Sequence, residues 1–324
     1  MSRETTIERF AGLKILVIGD FLLDEFVFSD ISRVSREAPV LILEYLKSEF
    51  RPGGAANTVA NVASLGAQAV PLGLIGDDQV ARQLFQAWPA QLDTSHVFRE
   101  RGLATTRKAR ILAGSFQSFR QQVVRIDYQH PFQLDGEQEA RLCSSLEELV
   151  PICDAVILSD YSLGNLSKAV RRSAIQLARR YGRPITVDSR DDPFGFQGAT
   201  TVTPNISELE SVLNTRLDHD EKRLEEVGKQ CLQKWHLDAL LVTRGRLGLS
   251  LIEPQRATHI PVYGSDEVAD VTGAGDTVIA TYTTALAAGA GFGEAACLAN
   301  CAGGIVVTKR GTATVTAKEL REAE

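Results

Sequence analysis

Leu13-Lys14-Ile15-Leu16-Val17-Ile18-Gly19-Asp20-Phe21-Leu22-Leu23-Asp24 begins as a short apolar run and breaks at a glycine followed by carboxylates. Such a run predicts a strand buried on both faces, the kind found in parallel sheets. Ala69–Ile75, Asp154–Leu158, Pro184–Val187 and Ala239–Val242 read the same way. Segments of helical period lie between and after them: Ala55–Leu65, Glu137–Val150, Lys168–Tyr181, Glu221–Trp235, Ala274–Ala288 and Glu294–Val307. Strand followed by helix, repeated along the chain, predicts an α/β fold with a mostly parallel central sheet covered on both faces. The break after the first strand narrows it further. A dinucleotide fold wants G-x-G-x-x-G there, and this chain has acids at Asp20 and Asp24 instead.

Composition excludes other classes. The 324 residues are 44% hydrophobic and 23% charged, which rules out a disordered chain, a fibre and a coiled coil. The net charge of −6 argues against a nucleic-acid surface. Five cysteines at irregular spacing suggest neither a disulfide framework nor a zinc site, so reduced thiols in a cytoplasm are expected. Met1–Phe10 is polar, and the longest apolar runs, Leu13–Ile18 and Ala280–Ala290, fall short of the roughly 20 residues of a membrane span.

Two regions interrupt the alternation. Phe26–Lys47 holds a strand, Val40–Leu46, with no helix before it. Thr105–Asp127 holds two extended runs, Arg107–Leu112 and Gln121–Ile126, around the turn-like Ala113-Gly114-Ser115. Both are expected to be antiparallel strands added to the main sheet, forming a β-flap over one end of a single compact domain spanning residues 1–324, with lid segments at about 25–48 and 105–127.

The strongest chemical signal is Asp270-Val271-Thr272-Gly273-Ala274-Gly275-Asp276, followed at once by an apolar helix. Glycines at a helix start let backbone N–H groups approach an anion, and the helix dipole favours negative charge there. Asp276 is the candidate base, and the N–H groups of Ala274, Gly275 and Asp276 are a candidate anion hole beside Gly273. A plain helix start capped by Thr272 or Asp270 is the alternative. Asp20 and Asp24 suit hydrogen bonds to sugar hydroxyls, or turn chemistry. Arg51-Pro52-Gly53-Gly54-Ala55-Ala56-Asn57 leads into a helix with small residues against which a ligand can lie. Asn205 and Glu208 sit three apart at a helix start, which is also a capping pattern. Thr243 and Gly245 close a strand, a weak nucleotide signal alone. No Walker-type G-x-x-x-x-G-K-[ST] occurs.

In this order, over nearly the whole chain, these segments resemble the ribokinase-like, or PfkB, family of carbohydrate kinases. The resemblance implies a three-layer α/β/α sandwich with a small β-strand lid, and transfer of the γ-phosphate of ATP to a sugar hydroxyl. It implies Asp276 as base, with Gly273, Ala274 and Gly275 stabilising the transferring group. It implies Asp20, Asp24, Gly53, Gly54, Asn57 and Asp270 at the sugar. Asn205 and Glu208 would serve Mg²⁺ and phosphate, with Mg²⁺ held indirectly, and Thr243, Gly245 and Asn300 would lie near the nucleotide. Many members also dimerise through the lid, so a homodimer is expected.

Ser32–Val40, Arg51–Asn57, Leu158–Tyr161, Leu241–Arg244 and Asp270–Ile279 are similar to the kinase branch of ADP-heptose synthesis, which phosphorylates D-glycero-β-D-manno-heptose 7-phosphate to the 1,7-bisphosphate. Some members of that branch carry a fused nucleotidyltransferase; a chain ending at Glu324 is expected to be the kinase alone. The branch expects a lysine at Leu163 and another where Arg190 stands. Arg107, Lys108, Arg110, Arg120 and Arg125 of the flap either supply that charge or form a solvated face. A kinase for a hexose, a pentose or fructose phosphate, a nucleoside kinase, and a non-catalytic sugar- or nucleotide-binding regulator are the competing readings.

Overall fold

The computed structural model describes residues 3–114, 120–217, 220–264 and 269–323. Its strands are β1 (Lys14–Gly19), β2 (Phe21–Val34), β3 (Leu41–Gly54), β4 (Gln68–Gly76), β5 (Val97–Glu100), β6 (Arg107–Gly114), β7 (Gln121–Tyr128), β8 (Ala155–Asp160), β9 (Ile185–Ser189), β10 (Thr201–Val202), β11 (Ala239–Thr243), β12 (Leu249–Ile252) and β13 (Ala257–Ile260). The helices are α1 (Arg3–Glu8), α2 (Ala55–Ser64), α3 (Gln79–Ala87), α4 (Gly136–Leu149), α5 (Lys168–Arg180), α6 (Ile206–Leu213), α7 (Glu221–Trp235), α8 (Ala274–Ala287), α9 (Phe292–Val306) and α10 (Ala317–Glu322).

Nine strands form the main sheet in the order β13-β12-β11-β10-β9-β8-β1-β4-β5. All neighbours from β5 to β11 pair in parallel, and β12 and β13 return antiparallel. The side-chain period of two in a strand divides β1 between two cores. Leu16 and Ile18 pack with Leu146 of α4, Val170 of α5 and Leu232 of α7. Ile15 and Val17 pack with Val59 of α2, Leu84 of α3 and Ile279 of α8. A third cluster, built from α1, α8, α9 and α10, covers Leu241 of β11. Helices therefore cover both faces, as the uninterrupted apolar runs require.

The flap departs from expectation. It is not an extension of the main sheet but a second, four-stranded sheet in the order β3-β2-β6-β7. The β2–β6 pair is parallel, from Leu23↔Arg107 to Asp30↔Gly114. Its strands also run deeper than residues 25–48, since β2 pairs with β3 from Phe21↔Gly54 outward. The cause is a tight corner. β2 leaves β1 after the single residue Asp20, and Gly54 at φ +59° turns β3 straight into α2, where Ala55 N–H donates to the Asp20 carbonyl (3.1 Å). Ala113 and Gly114 end β6; Ser115 lies outside the described residues.

Strand order reverses at β1, whose two neighbours are β4 and β8. In open α/β sheets ligands settle at such a switch point, beyond the carboxyl ends of the strands. Among the described residues no helix is long and apolar enough to cross a membrane.

Candidate active site

Helical spacing puts Asn57, Thr58 and Asn61 of α2 against the first turn of α8, and a buried polar seam forms there. Asn57 Nδ2 donates to Asp276 Oδ2 (2.8 Å), and Thr58 Oγ1 donates to Asp276 Oδ1 (3.3 Å). Asn61 Nδ2 donates to Asn57 Oδ1 (3.3 Å) and Thr277 Oγ1 to Asn61 Oδ1 (2.9 Å), which fixes the way both amides face. Gly273 supplies the close approach. It sits at φ +78°, and a Cβ there would come within 2.5 Å of Asn57 Nδ2.

Asp276 is 3% exposed. Burial pushes its carboxyl up to about 6, against the lowering effect of the Asn57 and Tyr161 hydrogen bonds and the Arg190 charge. Capping by Thr272 or Asp270 does not occur, since Gly273 is the N-cap residue and α8 has no side-chain cap. Asp270 instead accepts from Thr272 N–H (2.9 Å) and Gly311 N–H (3.0 Å), pinning the turn from both sides. Ala274 N–H is engaged with the Val271 carbonyl (3.2 Å). The N–H groups of Gly275 and Asp276 find no acceptor among the described residues, so these two are the open donors of the helix start.

An open cleft of about 290 Å³ runs from this helix end along the strand termini, lined by Tyr161, Asp188, Arg190, Thr203, Asn205, Glu208 and Thr243, with Arg110 and Arg125 of the lid above. Asn205 and Glu208 make the reciprocal capping box of α6, with both hydrogen bonds at 2.8 Å. Capping occupies Oε2 of Glu208. Burial raises the Glu208 carboxyl, and it raises Asp188 to about 8, helped by the charges of Asp276 and Glu208. Among the described residues no three His, Cys, Asp or Glu groups converge as a metal cage. One or two carboxylates beside an open helix start fit Mg²⁺, which keeps several waters and is held largely by substrate phosphates.

The other predicted residues fall outside the cleft lining or act through neighbours. Asp20 is 1% exposed, and its carboxylate accepts the N–H groups of Tyr161 (2.9 Å), Leu163 (2.9 Å) and Asn165 (3.0 Å). It thereby fixes the loop that carries Tyr161. Asp24 lies inside β2 rather than at a strand end, 3.2 Å from the Arg110 guanidinium. Gly53 pairs with Leu22 in the lid. Gly245 opens a short turn after Thr243, and Asn300 Nδ2 donates to the Pro261 carbonyl (2.8 Å); neither lines the cleft.

The five basic lid residues divide sharply. Arg107 pairs with Glu25 (3.0 Å), Arg110 with Asp24, Arg120 with Asp30 (2.7 Å) and Arg125 with Asp127 (2.8 Å). Lys108 is 3% exposed and has no ion-pair partner among the described residues. Its ammonium lies over the Tyr161 ring (5.5 Å), which the Arg190 guanidinium also covers (4.3 Å).

The model of the pfkB family of carbohydrate kinases matches residues 13–319. The chain belongs to that family. "Bifunctional protein HldE" of Pseudomonas syringae pv. syringae is 40% identical over 320 residues, covering 98% of this chain and 65% of its own length. The HldE of Methylococcus capsulatus is 41% identical over 314 residues, covering 96% of this chain and 64% of its own. The chain thus spans about two-thirds of the length of these relatives. The pfkB fold extends to solved structures of low identity: an Arabidopsis thaliana ribokinase with ribose and ATP superposes with a TM-score of 0.73 at 16% identity, over 96% of this chain and 98% of that one.

Tyr161, Thr58 and Asp188 are residues of this region to which motif reading gives no role, although Tyr161 closes the Leu158–Tyr161 segment. None belongs to a glycine-rich signature. Tyr161 and Asp188 stand at the carboxyl ends of β8 and β9, and the switch-point rule points to such positions once the strand order is known.

Proposed function

We propose that this chain is an ATP-dependent kinase whose acceptor is D-glycero-β-D-manno-heptose 7-phosphate and whose product is the 1,7-bisphosphate. The observation that carries the phosphorylated acceptor is the pair of cations left unpaired beside the base. Lys108 and Arg190 both cover Tyr161, and no carboxylate among the described residues forms an ion pair with either. An ammonium desolvated in this way, its pKa lowered by burial and by the like charge of Arg190, gains most from an anion. Arg190 stands where the resemblance expects a lysine, and Lys108 supplies from the lid the charge that buried Leu163 lacks.

In this mechanism Asp276 takes the proton of the acceptor hydroxyl as that oxygen attacks the γ-phosphorus. The open N–H groups of Gly275 and Asp276 hold the phosphoryl oxygens, and the α8 dipole adds to their field. Asn57 orients the base, and Asp24 with Arg110 lines the sugar side. Bound Mg²⁺ would be held through water by Glu208 beside Asn205 and would neutralise phosphate charge. Lid closure excludes water and suppresses ATP hydrolysis. A homodimer through the lid covers its exposed apolar residues.

The test is ATP-dependent phosphorylation of heptose 7-phosphate beside the same heptose without phosphate, hexoses, pentoses and fructose 6-phosphate. Preference for heptose 7-phosphate that falls at least tenfold in kcat/KM with Lys108→Met, while the unphosphorylated heptose is unaffected, is the expected outcome. Preference for an unphosphorylated sugar overturns the assignment of the acceptor. No turnover with any sugar while ATP still binds favours the regulator.

A further inference from the structure

The two oxygens of the Asp276 carboxylate are not equivalent. Oδ2 accepts one hydrogen bond, from Asn57 Nδ2 at 2.8 Å. Oδ1 accepts two, from the Tyr161 hydroxyl at 2.9 Å and from Thr58 Oγ1 at 3.3 Å. A carboxylate oxygen has two lone-pair directions, so Oδ1 is filled and Oδ2 retains one vacant direction.

We propose that Tyr161 is the positioning residue of the base: its hydroxyl occupies and orients Oδ1, so that the acceptor proton is delivered to Oδ2. This inference rests on the kinase reading and deepens it. As the acceptor oxygen bonds to the γ-phosphorus, its proton passes to Oδ2. The bond from that phosphorus to the bridging oxygen breaks, and the electron pair leaves with the nucleoside diphosphate.

The surroundings suit Tyr161 to this task. Burial and the nearby carboxylates of Asp276 and Asp188 keep its phenol protonated well above the usual range, so it remains a donor throughout turnover. Asp20, through the N–H groups of Tyr161, Leu163 and Asn165, fixes the loop it stands on. Arg190 and Lys108 cover its ring. The charged groups acting on Asp276 are Arg190 at the end of β9, Asp24 of β2 and Asp188 of β9, while α2 presents only the neutral Asn57 and Thr58. The Tyr161 hydrogen bond lowers the Asp276 carboxyl, so losing it raises that carboxyl.

Tyr161→Phe keeps the ring and removes only the hydroxyl. Two readouts are made on folded protein: titration of the Asp276 carboxyl by carbon-13 NMR, assigned with Asp276→Asn, and steady-state kinetics. The expected result is an upward move of the carboxyl titration by about half a unit or more, with kcat down roughly tenfold or more and the KM for ATP within about twofold. A fluorotyrosine placed at position 161 is a stronger donor and moves the titration downward. It serves as the test if Tyr161→Phe does not fold. An unmoved titration in both proteins overturns the proposal, even if kcat falls. Should the wild type phosphorylate no sugar, the kinase reading fails on its own, and the carboxyl titration still decides the role of Tyr161.

Discussion

A general base must be charged to accept a proton yet dry enough to be reactive, and in the role proposed for it Asp276 meets both demands through its neighbours. Burial lifts its carboxyl to about 6, and the donors Asn57 and Tyr161 keep it from rising further. Because the charged form is the active one, kcat/KM is expected to be flat above this value and to fall as pH drops through about 6; a profile measured from pH 5 to 8 checks it. Asp276→Asn keeps the shape and removes the base, so kcat falls by on the order of 10²–10⁴ while ATP still binds by calorimetry. Asp188 shows the stability side of the same chemistry. Its folded value of about 8 exceeds the ordinary aspartate value of 3.8. Between those values the native chain holds a proton that the unfolded chain has released, so this group makes stability fall as pH rises through that window. Asp188→Asn is therefore expected to raise Tm at pH 8, to change it little near pH 4, and to lower activity, a trade that thermal scans at the two pH values and an activity assay detect together.

At the scale of elements, the contact between α2 and α8 carries the site. Gly273→Ala places a methyl group 2.5 Å from Asn57 Nδ2 at a backbone angle of φ +78°. Asn57 must then withdraw from Asp276, and a drop in kcat of at least tenfold is expected, with Tm lower by several degrees; kinetics and calorimetry check both. Asn57→Ala removes the same hydrogen bond to Asp276 with the backbone unstrained, so kcat is expected to fall with a smaller loss in Tm. The main-sheet strands and their helices were legible because their apolar runs are buried on both faces, as at Ile15–Ile18. The lid was legible as extended chain but not as a separate sheet. Asp20 and Asp24 read as strand-end carboxylates for sugar hydroxyls or as turn residues, and nothing in their pattern says that a fourteen-residue strand starts at Phe21. What makes it one is pairing with β3 and β6, residues far along the chain. Local pattern also singled out Asp276 and Asn57, which sit in glycine-rich helix starts, and gave Tyr161 no role of its own, since its contact with Asp276 forms only once β8 is laid beside β1.

For the whole molecule, the lid is the exposed apolar element. Every residue of β7 is exposed, and Val34, Tyr45 and Val124 are 61%, 66% and 51% exposed. Sheet edges of this kind are normally covered, and a second copy is the occupant expected from the family resemblance. Light scattering at micromolar concentration is expected to give twice the chain mass, and Tyr45→Asp to shift it toward one; a monomer in the wild type removes the lid dimer. The continuity of β2 then has a mechanical meaning. The strand that carries Asp24, which the proposed function puts at the sugar, also reaches Val34 at the outer tip, and it is paired with β3 along its length and with β6 along its inner half. It acts as a girder between the pocket and the tip. Any force applied at the tip, by a partner or by a mutation there, is transmitted to Asp24 and Arg110 without passing through the main sheet, so substitutions far from the chemistry would be felt as changes in sugar affinity.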